Sequence, residues 1–314
     1  MQQRRVGDSG LTVSRLALGT MTWGRDTDAD DAAGQLSAFR DRGGTLVDTA
    51  DRYSDGEAET ILGRLLAGDR DEVVLATKAG APTTLGSGSS RRHLLASLDA
   101  SLARLGTDHV DLWQLHRYDP LTPLEETLAA LDTAVDSGRA RYVGISNFTG
   151  WQTATAATWQ RSWPGRTPLV SIQVEWSLLA RRVETEVVPA AAHHGLGVLA
   201  WSPLGRGVLT GKYRDGIPAD SRAASPVWAG FVEPYLQPGA ARIVDAVVTA
   251  AQGLGCAPLA VALAWVRDRP ETTATVVGAR STGQFLGVLG AEELTLPAEI
   301  RSALDDVSTP GTGS

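Results

Sequence analysis

The sequence predicts an α/β fold, a closed (β/α)8 TIM barrel with an N-terminal hairpin and a long loop after the seventh strand. Three observations predict it. Short apolar runs alternate with amphipathic helical patterns, successive runs lie roughly 30 residues apart, and polar side chains collect where the runs end. The ends of parallel strands meet at one face of a closed barrel but are spread along the edge of an open sheet, so the barrel is favoured.

The predicted elements begin with a hairpin at residues 4–13, which turns at Asp8-Ser9-Gly10. The strand candidates are residues 16–18, 45–47, 73–76, 110–115, 142–145, 169–174, 198–201 and 275–277. The helical patterns are residues 29–42, 57–66, 91–105, 123–137, 183–194, 240–254 and 258–267. Residues 202–239 form a Gly- and Pro-rich loop, whose length is typical of a lid over a site.

Composition and charge limit the classes of function. The chain of 314 residues is predicted to form a single domain, with a flexible tail from about residue 306. A formal net charge of −7 without a basic cluster argues against nucleic acid and anionic membranes as partners. Neither a signal peptide nor a run of about 18 apolar residues is evident, so we expect no membrane span and a cytoplasmic location. A homo-oligomer is left open.

Four side chains at neighbouring strand ends are candidates for proton transfer. Asp48 and Lys78 end adjacent strands, Tyr53 follows Asp48 by five residues, and His116 ends the next strand. A carboxylate keeps a desolvated ammonium charged, and an ammonium eases proton release from a tyrosine, whose ordinary pKa is about 10. His116 could hold a carbonyl oxygen by a hydrogen bond. The group therefore suits general acid catalysis toward a developing alkoxide.

Each of these residues also has a plainer interpretation when taken alone. Asp48 could cap a loop, Lys78 could be a surface charge, Tyr53 a loop aromatic, and His116 part of a solvated turn. Their joint placement at adjacent strand ends favours the catalytic interpretation. The only lysines are Lys78 and Lys212 in a chain that otherwise uses arginine, which suggests that a compact ammonium is needed at those places.

Residues 47–63, VDTADRYSDGEAETILG, resemble the signature segment of the aldo-keto reductases. Residues 18–21, 77–78, 114–116, 144–148 and 207–213 resemble further family segments in family order. The resemblance runs from about Arg5 to about Ala291. It implies a (β/α)8 barrel that uses NADPH and no metal to reduce aldehydes or ketones to alcohols. It carries the catalytic roles to Asp48, Tyr53, Lys78 and His116.

The same resemblance implies a cofactor site. Amide-binding residues would hold the nicotinamide, Trp176 would stack on its ring, and glycines with Lys212 would fold over the pyrophosphate. Arg280, just before a helix, would receive the 2′-phosphate, which favours NADPH over NADH. Val288 stands where the family commonly has an asparagine on the adenine. The implied cofactor residues are Gly19, Thr20, Met21, Ser146, Asn147, Gln173, Trp176, Trp201, Ser202, Leu204, Gly205, Gly207, Lys212, Gly278, Ala279, Arg280, Thr282 and Gln284.

A small carbonyl compound is the expected substrate, with Trp23, Arg117, Phe148 and Trp228 as candidates for lining its pocket. An alternative function is an NADP(H)-binding regulatory subunit of a channel or another protein partner, because some relatives with the same four residues have that role. A G-x-G-x-x-A pattern at residues 195–200 follows a helical pattern and runs into a strand, so it is interpreted as a helix stop and not as a dinucleotide fingerprint.

Overall fold

A computed structural model describes residues 1–81 and 88–309, and within them eight parallel strands close into a barrel. The strands are β1 (Gln3–Arg5), β2 (Thr12–Ser14), β3 (Leu16–Gly19), β4 (Leu46–Asp48), β5 (Val74–Ala79), β6 (Val110–Leu115), β7 (Ala140–Ser146), β8 (Leu169–Glu175), β9 (Gly197–Trp201) and β10 (Thr272–Val277). β1 and β2 form the hairpin, and the barrel runs β10-β3-β4-β5-β6-β7-β8-β9. The predicted TIM barrel is confirmed.

Helices separate the strands of the barrel. They are α1 (Ala29–Asp41), α2 (Glu57–Leu65), α3 (Arg91–Leu105), α4 (Leu124–Asp136), α5 (Gly150–Arg161), α6 (Val183–His193), α7 (Ala229–Val232), α8 (Pro238–Leu254), α9 (Pro258–Arg267), α10 (Thr282–Gly290) and α11 (Ala298–Ser308). Asp28, Ser90 and Thr149 begin α1, α3 and α5 by accepting a hydrogen bond from a first-turn backbone N–H. The sequence patterns did not single out α5 or α11, whereas α10 begins at Thr282, just after Arg280, where a helix was expected.

Apolar side chains alternate between the inside and the outside of the barrel. Leu16 and Leu18 pack with the helices, whereas Ala17 between them packs with the small inner cluster. The inner cluster consists of Val6, Leu11, Val13, Ala17, Leu46, Ala76, Leu112, Val170, Leu199 and Ala274. Since Val6, Leu11 and Val13 come from the hairpin, the hairpin closes the N-terminal end of the barrel and leaves the opposite end open for a site.

Close backbone approach at the hairpin explains the G-x-G-x-x-A pattern. α6 ends at His193 and β9 begins at Gly197, so the pattern does end a helix and enter a strand, as interpreted. A Cβ on Gly195 would lie 2.0 Å from the Asp8 carboxylate, and one on Gly197 would lie 2.7 Å from the Gly7 nitrogen. The glycines therefore let the hairpin dock on the barrel.

The long loop after β9 folds over the open end of the barrel. It contains 3-10 turns at Gly205–Thr210, Arg222–Ala224 and Glu233–Tyr235, together with the short helix α7. We call residues 202–237 the lid. The predicted loop is thus present, but much of it forms 3-10 turns and a short helix. No single helix in the described ranges is long and apolar enough to cross a membrane. α8 and α9 would be long and apolar enough only if taken together, and the chain bends by 103° between them.

α11 continues to Ser308, so the flexible tail predicted from about residue 306 overlaps the last turn of a helix. Arg181 donates hydrogen bonds to the carbonyl oxygen of Asp305 and to Ser308 Oγ, at 2.8 and 3.0 Å. Ser308 Oγ in turn donates to the carbonyl oxygen of Leu304. These contacts fasten the last turn of α11 to the barrel. The remainder of the predicted tail, residues 310–314, lies outside the described residues.

Candidate active site

A cavity of about 730 Å³ opens at the C-terminal ends of the barrel strands, beneath the lid. This volume lies in the range of small-molecule and cofactor sites, roughly 300–1,000 Å³. Predicted site residues that line it are Gly19, Met21, Asp48, Tyr53, His116, Arg117, Ser146, Asn147, Gln173, Trp201, Ser202, Leu204, Gly207, Lys212, Gly278, Ala279, Arg280 and Gln284. The strand ends therefore bring most of the predicted set into one space.

Asp48, Lys78, Tyr53 and His116 are brought together at one side of the cavity. Lys78 is buried, and its Nζ donates to Asp48 Oδ2 at 2.6 Å and to the carbonyl oxygen of Thr49 at 2.8 Å. The same nitrogen lies 3.4 Å from Tyr53 Oη. The rings of Tyr53 and His116 meet edge to face with centroids 5.9 Å apart. The phenol of Tyr53 therefore has both the ammonium of Lys78 and the imidazole of His116 as neighbours.

Burial and charge set the protonation states of this group. Burial opposes a charge on Lys78, but Asp48 and Tyr53 together outweigh it and the pKa of Lys78 is raised. Burial raises the pKa of Tyr53, and the ammonium of Lys78 offsets only part of that rise. Burial and the charges of Lys78, Arg52 and Arg117 lower the pKa of His116 well below its ordinary value. At neutral pH the site thus holds an ammonium, a neutral phenol and a neutral imidazole.

The rise in the tyrosine pKa differs from the sequence-based expectation. The expectation counted the ammonium of Lys78, which favours the phenolate, but not the burial of the phenol, which opposes it. The ammonium still lies within hydrogen-bond distance of the phenol oxygen. In this structure, therefore, Lys78 lies beside a phenol that keeps its proton at neutral pH.

Amide side chains complete the surroundings of Asp48. Gln173 Nε2 donates to Asp48 Oδ1 at 2.9 Å, and Gln114 Nε2 donates to the same oxygen at 3.4 Å. Gln114 is fully buried beside Lys78, its partner in the pairing of β5 with β6. Sequence reasoning missed Gln114, although its position directly before Leu115 and His116 was a signal. The carboxylate is therefore held from both of its oxygens.

A chain of hydrogen bonds joins the ends of β6, β7, β8 and β9. Asn147 Nδ2 donates to the carbonyl oxygen of His116, and Ser146 Oγ donates to that of Gln173. Trp201 Nε1 donates to Asn147 Oδ1 at 3.1 Å. Asn147 adopts a positive φ of 57°, a conformation that is uncommon outside glycine. The amide-rich wall of the cavity is thereby fixed.

The structure corrects the assignment of the stacking aromatic. Trp176 is buried, does not line the cavity, and donates from Nε1 to Glu184 Oε1 at 2.9 Å. Trp201, at the end of the adjacent strand β9, presents its ring to the cavity instead. The backbone N–H of Trp176 donates to the carbonyl oxygen of Trp201, so the two residues are neighbours. Their side chains nevertheless have different surroundings. Of these two tryptophans, Trp201 is the one that lines the cavity.

Three of the four substrate candidates also lie away from the cavity lining. Trp23 is fully buried and donates to Gln35 Oε1, so it packs in the core. Phe148 is buried, and its ring meets the Tyr118 ring edge to face. Trp228 donates to Asp26 Oδ2 at 2.7 Å and so ties the lid to the loop after β3. These three assignments are corrected; Arg117 does line the cavity.

Three predicted cofactor residues do not line the cavity but contact the segments that do. The backbone N–H and side-chain hydroxyl of Thr20 donate to the carbonyl oxygen of Asp48. Gly205, at φ +54°, packs so closely on Leu179 that a Cβ would lie 2.8 Å from its Cδ1. Thr282 donates from its backbone and hydroxyl to the Asp31 carboxylate on α1. These residues position the loops and do not face the cavity.

Cations gather at the end of the cavity near β10. Arg280 precedes α10, Arg222 belongs to the lid, and Lys212 lies against Gly207, whose Cβ would be 3.4 Å from its Nζ. Burial and the neighbouring Arg280 lower the pKa of Arg222. Two arginines that line the same part of the cavity, beside the N-terminus of α10, are suited to a doubly charged anion. Sequence reasoning missed Arg222 because nothing in the lid sequence places it beside Arg280.

Arg206 fastens the lid to the barrel and was also missed. Its guanidinium forms a two-pronged ion pair with Glu175, at 2.8 and 2.6 Å, and lies 3.9 Å from the centre of the Phe231 ring. The ring of Tyr235 lies 4.8 Å away. A partly buried pair of this geometry is stronger than a surface ion pair. Arg206 thus holds the lid against the end of β8 at the cavity.

The remaining lining residues that sequence reasoning did not select are Thr22, Arg52, Ala81, Pro203, Thr210, Phe231, Leu259, Val276, Val277, Gly283, Gly287 and Val288. Val288 had been noted only as a departure from the family. Within the described ranges, no three His, Cys, Asp or Glu side chains are arranged to hold a metal ion.

Comparison with known proteins gives one family. A family model described as "Aldo/keto reductase family" matches residues 15–309. An uncharacterized oxidoreductase of Bacillus subtilis is 37% identical over 100% of this chain and 97% of its own length. An L-glyceraldehyde 3-phosphate reductase of Escherichia coli is 37% identical, covering 91% and 86%. A probable voltage-gated potassium channel subunit beta of Arabidopsis thaliana is also 37% identical, covering 91% and 89%.

Proposed function

Since this chain belongs to the aldo-keto reductase family, a family of oxidoreductases, we propose that it reduces aldehydes or ketones to alcohols with NADPH, and that Tyr53 donates the proton. The observation that carries the proposal is the placement of Tyr53 Oη, 3.4 Å from the Lys78 ammonium and beside His116, in the wall of a cavity large enough for a cofactor.

The protein's side chains would act on the carbonyl oxygen. His116 Nδ1 is buried without a hydrogen-bond partner among the described residues, which favours a neutral ring with its proton on Nε2. That N–H would donate to the carbonyl oxygen and orient it. Tyr53 would then give its proton to the same oxygen as negative charge develops. Bound NADPH would supply the hydride that reduces the carbonyl carbon.

Lys78 and Asp48 would make the proton transfer easier without touching the substrate. When Tyr53 loses its proton, the phenolate faces an ammonium already within hydrogen-bond distance. Asp48 keeps that ammonium charged through a 2.6 Å contact. General acid catalysis of this kind accelerates a reaction roughly 10²- to 10⁴-fold.

The lining of the cavity supports NADPH as the cofactor. Amides of Asn147 and Gln173 suit a carboxamide, and the ring of Trp201 suits a nicotinamide face. Lys212 over Gly207 suits a pyrophosphate. Arg280 and Arg222 supply two guanidinium groups where NADH would offer only a hydroxyl, which supports NADPH over NADH. Val288 offers the adenine an apolar contact and no hydrogen bond.

A screen of carbonyl compounds that follows NADPH oxidation tests this function. We expect turnover with some aldehydes and a slower or absent reaction when NADH replaces NADPH at equal concentration. Binding of NADPH, seen by fluorescence quenching, without oxidation by any aldehyde or ketone would contradict the proposal.

The similarity to plant channel subunits supports a second candidate, a regulatory subunit that binds NADP(H) and a protein partner. Both candidates use the same cofactor cavity, so the cofactor site does not separate them. Turnover does: a protein that acts only as a regulatory subunit should bind NADPH tightly and turn over aldehydes at a negligible rate.

A further inference from the structure

The cavity is lined by cations although the chain carries a formal net charge of −7. The charged lining residues are Asp48, Arg52, Arg117, Arg206, Lys212, Arg222 and Arg280, besides the neutral His116. The one carboxylate among them, that of Asp48, is already paired with Lys78. A cleft of one sign attracts ligands of the opposite sign.

A bound cofactor and an internal ion pair account for most of these cations. Lys212, Arg222 and Arg280 lie at the end that suits the cofactor phosphates. Arg206 is committed to Glu175. Two cations, Arg52 and Arg117, are left without a role in cofactor binding or in the lid.

Arg52 and Arg117 line the cavity and are chain neighbours of two of the four proposed catalytic residues, Asp48, Tyr53, Lys78 and His116. Arg52 directly precedes Tyr53 and Arg117 directly follows His116, on the loops after β4 and β6. Both are exposed, and both charges act on the His116 ring, where they help lower its pKa. Their positive fields therefore meet where a carbonyl substrate would lie.

Carboxylates near the two arginines are held by other groups, and the charge of Arg117 acts on Asp119 only by helping to lower its pKa. Neither guanidinium forms an ion pair with the described residues, in contrast to Arg206. The carboxylate of Asp119 accepts hydrogen bonds from the backbone of Ser89 and Leu121 and from Thr122. Asp51 is buried, where burial and the nearby Glu59 raise its pKa to about 7.

We propose that Arg52 and Arg117 bind an anionic group on the carbonyl substrate, so that the preferred substrates are short aldehydes carrying a phosphate or a carboxylate. This inference rests on the proposed function and narrows its substrate class. A guanidinium forms paired, charge-assisted hydrogen bonds with either anion. The anion would lie within a few bonds of the carbonyl, because each arginine neighbours a residue of the catalytic group in the chain.

Matched aldehydes test the inference at saturating NADPH. Succinic semialdehyde and butanal differ in a carboxylate, and glyceraldehyde 3-phosphate and glyceraldehyde differ in a phosphate. We expect kcat/KM for at least one anionic member to exceed that of its neutral match about 10- to 100-fold. The pair of aldehydes with the larger ratio of anionic to neutral kcat/KM shows whether the site prefers a carboxylate or a phosphate. The ratio should fall as the ionic strength rises, because salt screens exposed charges.

Substitutions assign the preference to these residues. Arg52→Gln and Arg117→Gln should each lower the ratio of anionic to neutral kcat/KM at least about fivefold, and the double substitution should bring it near one. Arg92→Gln is the matched control, since Arg92 is an exposed arginine on α3 away from the cavity. It changes the net charge equally and should preserve the ratio.

Two results would overturn the inference while the proposed function stands. One is reduction of neutral and anionic aldehydes at equal kcat/KM by the unmodified protein. The other is a preference that the Arg52 and Arg117 substitutions change no more than Arg92→Gln does. If no aldehyde oxidises bound NADPH, the proposed function fails first, and this inference fails with it.

Discussion

Replacing Asp48 with asparagine should destabilise the protein and slow turnover together. The carboxylate accepts from Lys78 at one oxygen and from Gln173 and Gln114 at the other. The substituted amide would keep one acceptor oxygen, so either the ammonium or the two glutamine amides would face an NH₂ group. Removing one partner of a buried ion pair costs about 3–5 kcal/mol, and we expect a loss of that size in the free energy of unfolding.

The pH dependence should identify the cause of that loss. In the unmodified protein the raised pKa of Lys78 keeps the pair intact through neutral pH, and its contribution is lost only as pH rises through that pKa. Without the carboxylate of Asp48, burial should lower the pKa of Lys78 below its ordinary value. Lys78 would then lose its proton in the folded protein first, so the deficit in stability should shrink as pH rises toward the ordinary lysine pKa of about 10.4.

Denaturant unfolding without cofactor, across that pH range, measures the effect, and kcat/KM with an aldehyde measures the catalytic loss. Asp111→Asn is the control, because Asp111 on β6 pairs with Arg70 but is partly exposed and lies far from the C-terminal strand ends. It should destabilise modestly and leave turnover unchanged. An Asp48→Asn protein with the stability and kcat/KM of the parent would refute the role given to this ion pair.

Three further predictions concern the cofactor, the lid and a buried acid. Arg280→Gln should raise the Kd for NADPH at least about 10-fold and leave NADH nearly unchanged; equal losses in fluorescence titrations would contradict the 2′-phosphate assignment. Glu175→Gln should weaken the hold of Arg206 on the lid and speed NADPH release several-fold in stopped-flow experiments; an unchanged release rate would remove the lid from control of release. Burial and the nearby Glu59 raise the pKa of Asp51 from 3.8 to about 7, so unfolding free energy should fall as pH rises from about 4 to 7, by up to about 4 kcal/mol. Asp51→Asn should flatten that fall, and an identical pH profile would show that Asp51 is already ionised.

The sequence was sufficient to predict the barrel and the meeting of Asp48, Lys78, Tyr53 and His116 at its open end, because both depend on local order along the chain. Alternating apolar runs mark the strands, and the residue after each run is carried to the open face. Asp48, Lys78 and His116 could therefore be grouped without coordinates. The direction of the Tyr53 pKa could not, because it depends on how far burial outweighs the ammonium.

The errors concern side chains whose surroundings come from distant parts of the chain. Trp176 and Trp201 both end strands, and only the neighbouring Glu184 determines that Trp176 turns away from the cavity. Trp23 likewise turns to Gln35 in the core. The pairing of Arg206 with Glu175 depends on how the lid folds, and irregular loops have no periodicity that predicts it.

Replacing Tyr53 with phenylalanine tests the central claim most directly, because it removes one hydroxyl and keeps the ring against His116. The measurement compares aldehyde turnover with NADPH binding in the same preparation. We predict that kcat falls at least about 100-fold while fluorescence quenching by NADPH keeps its Kd within about twofold. A Tyr53→Phe protein that reduces aldehydes at the parent rate would contradict the assignment of Tyr53 as the proton donor.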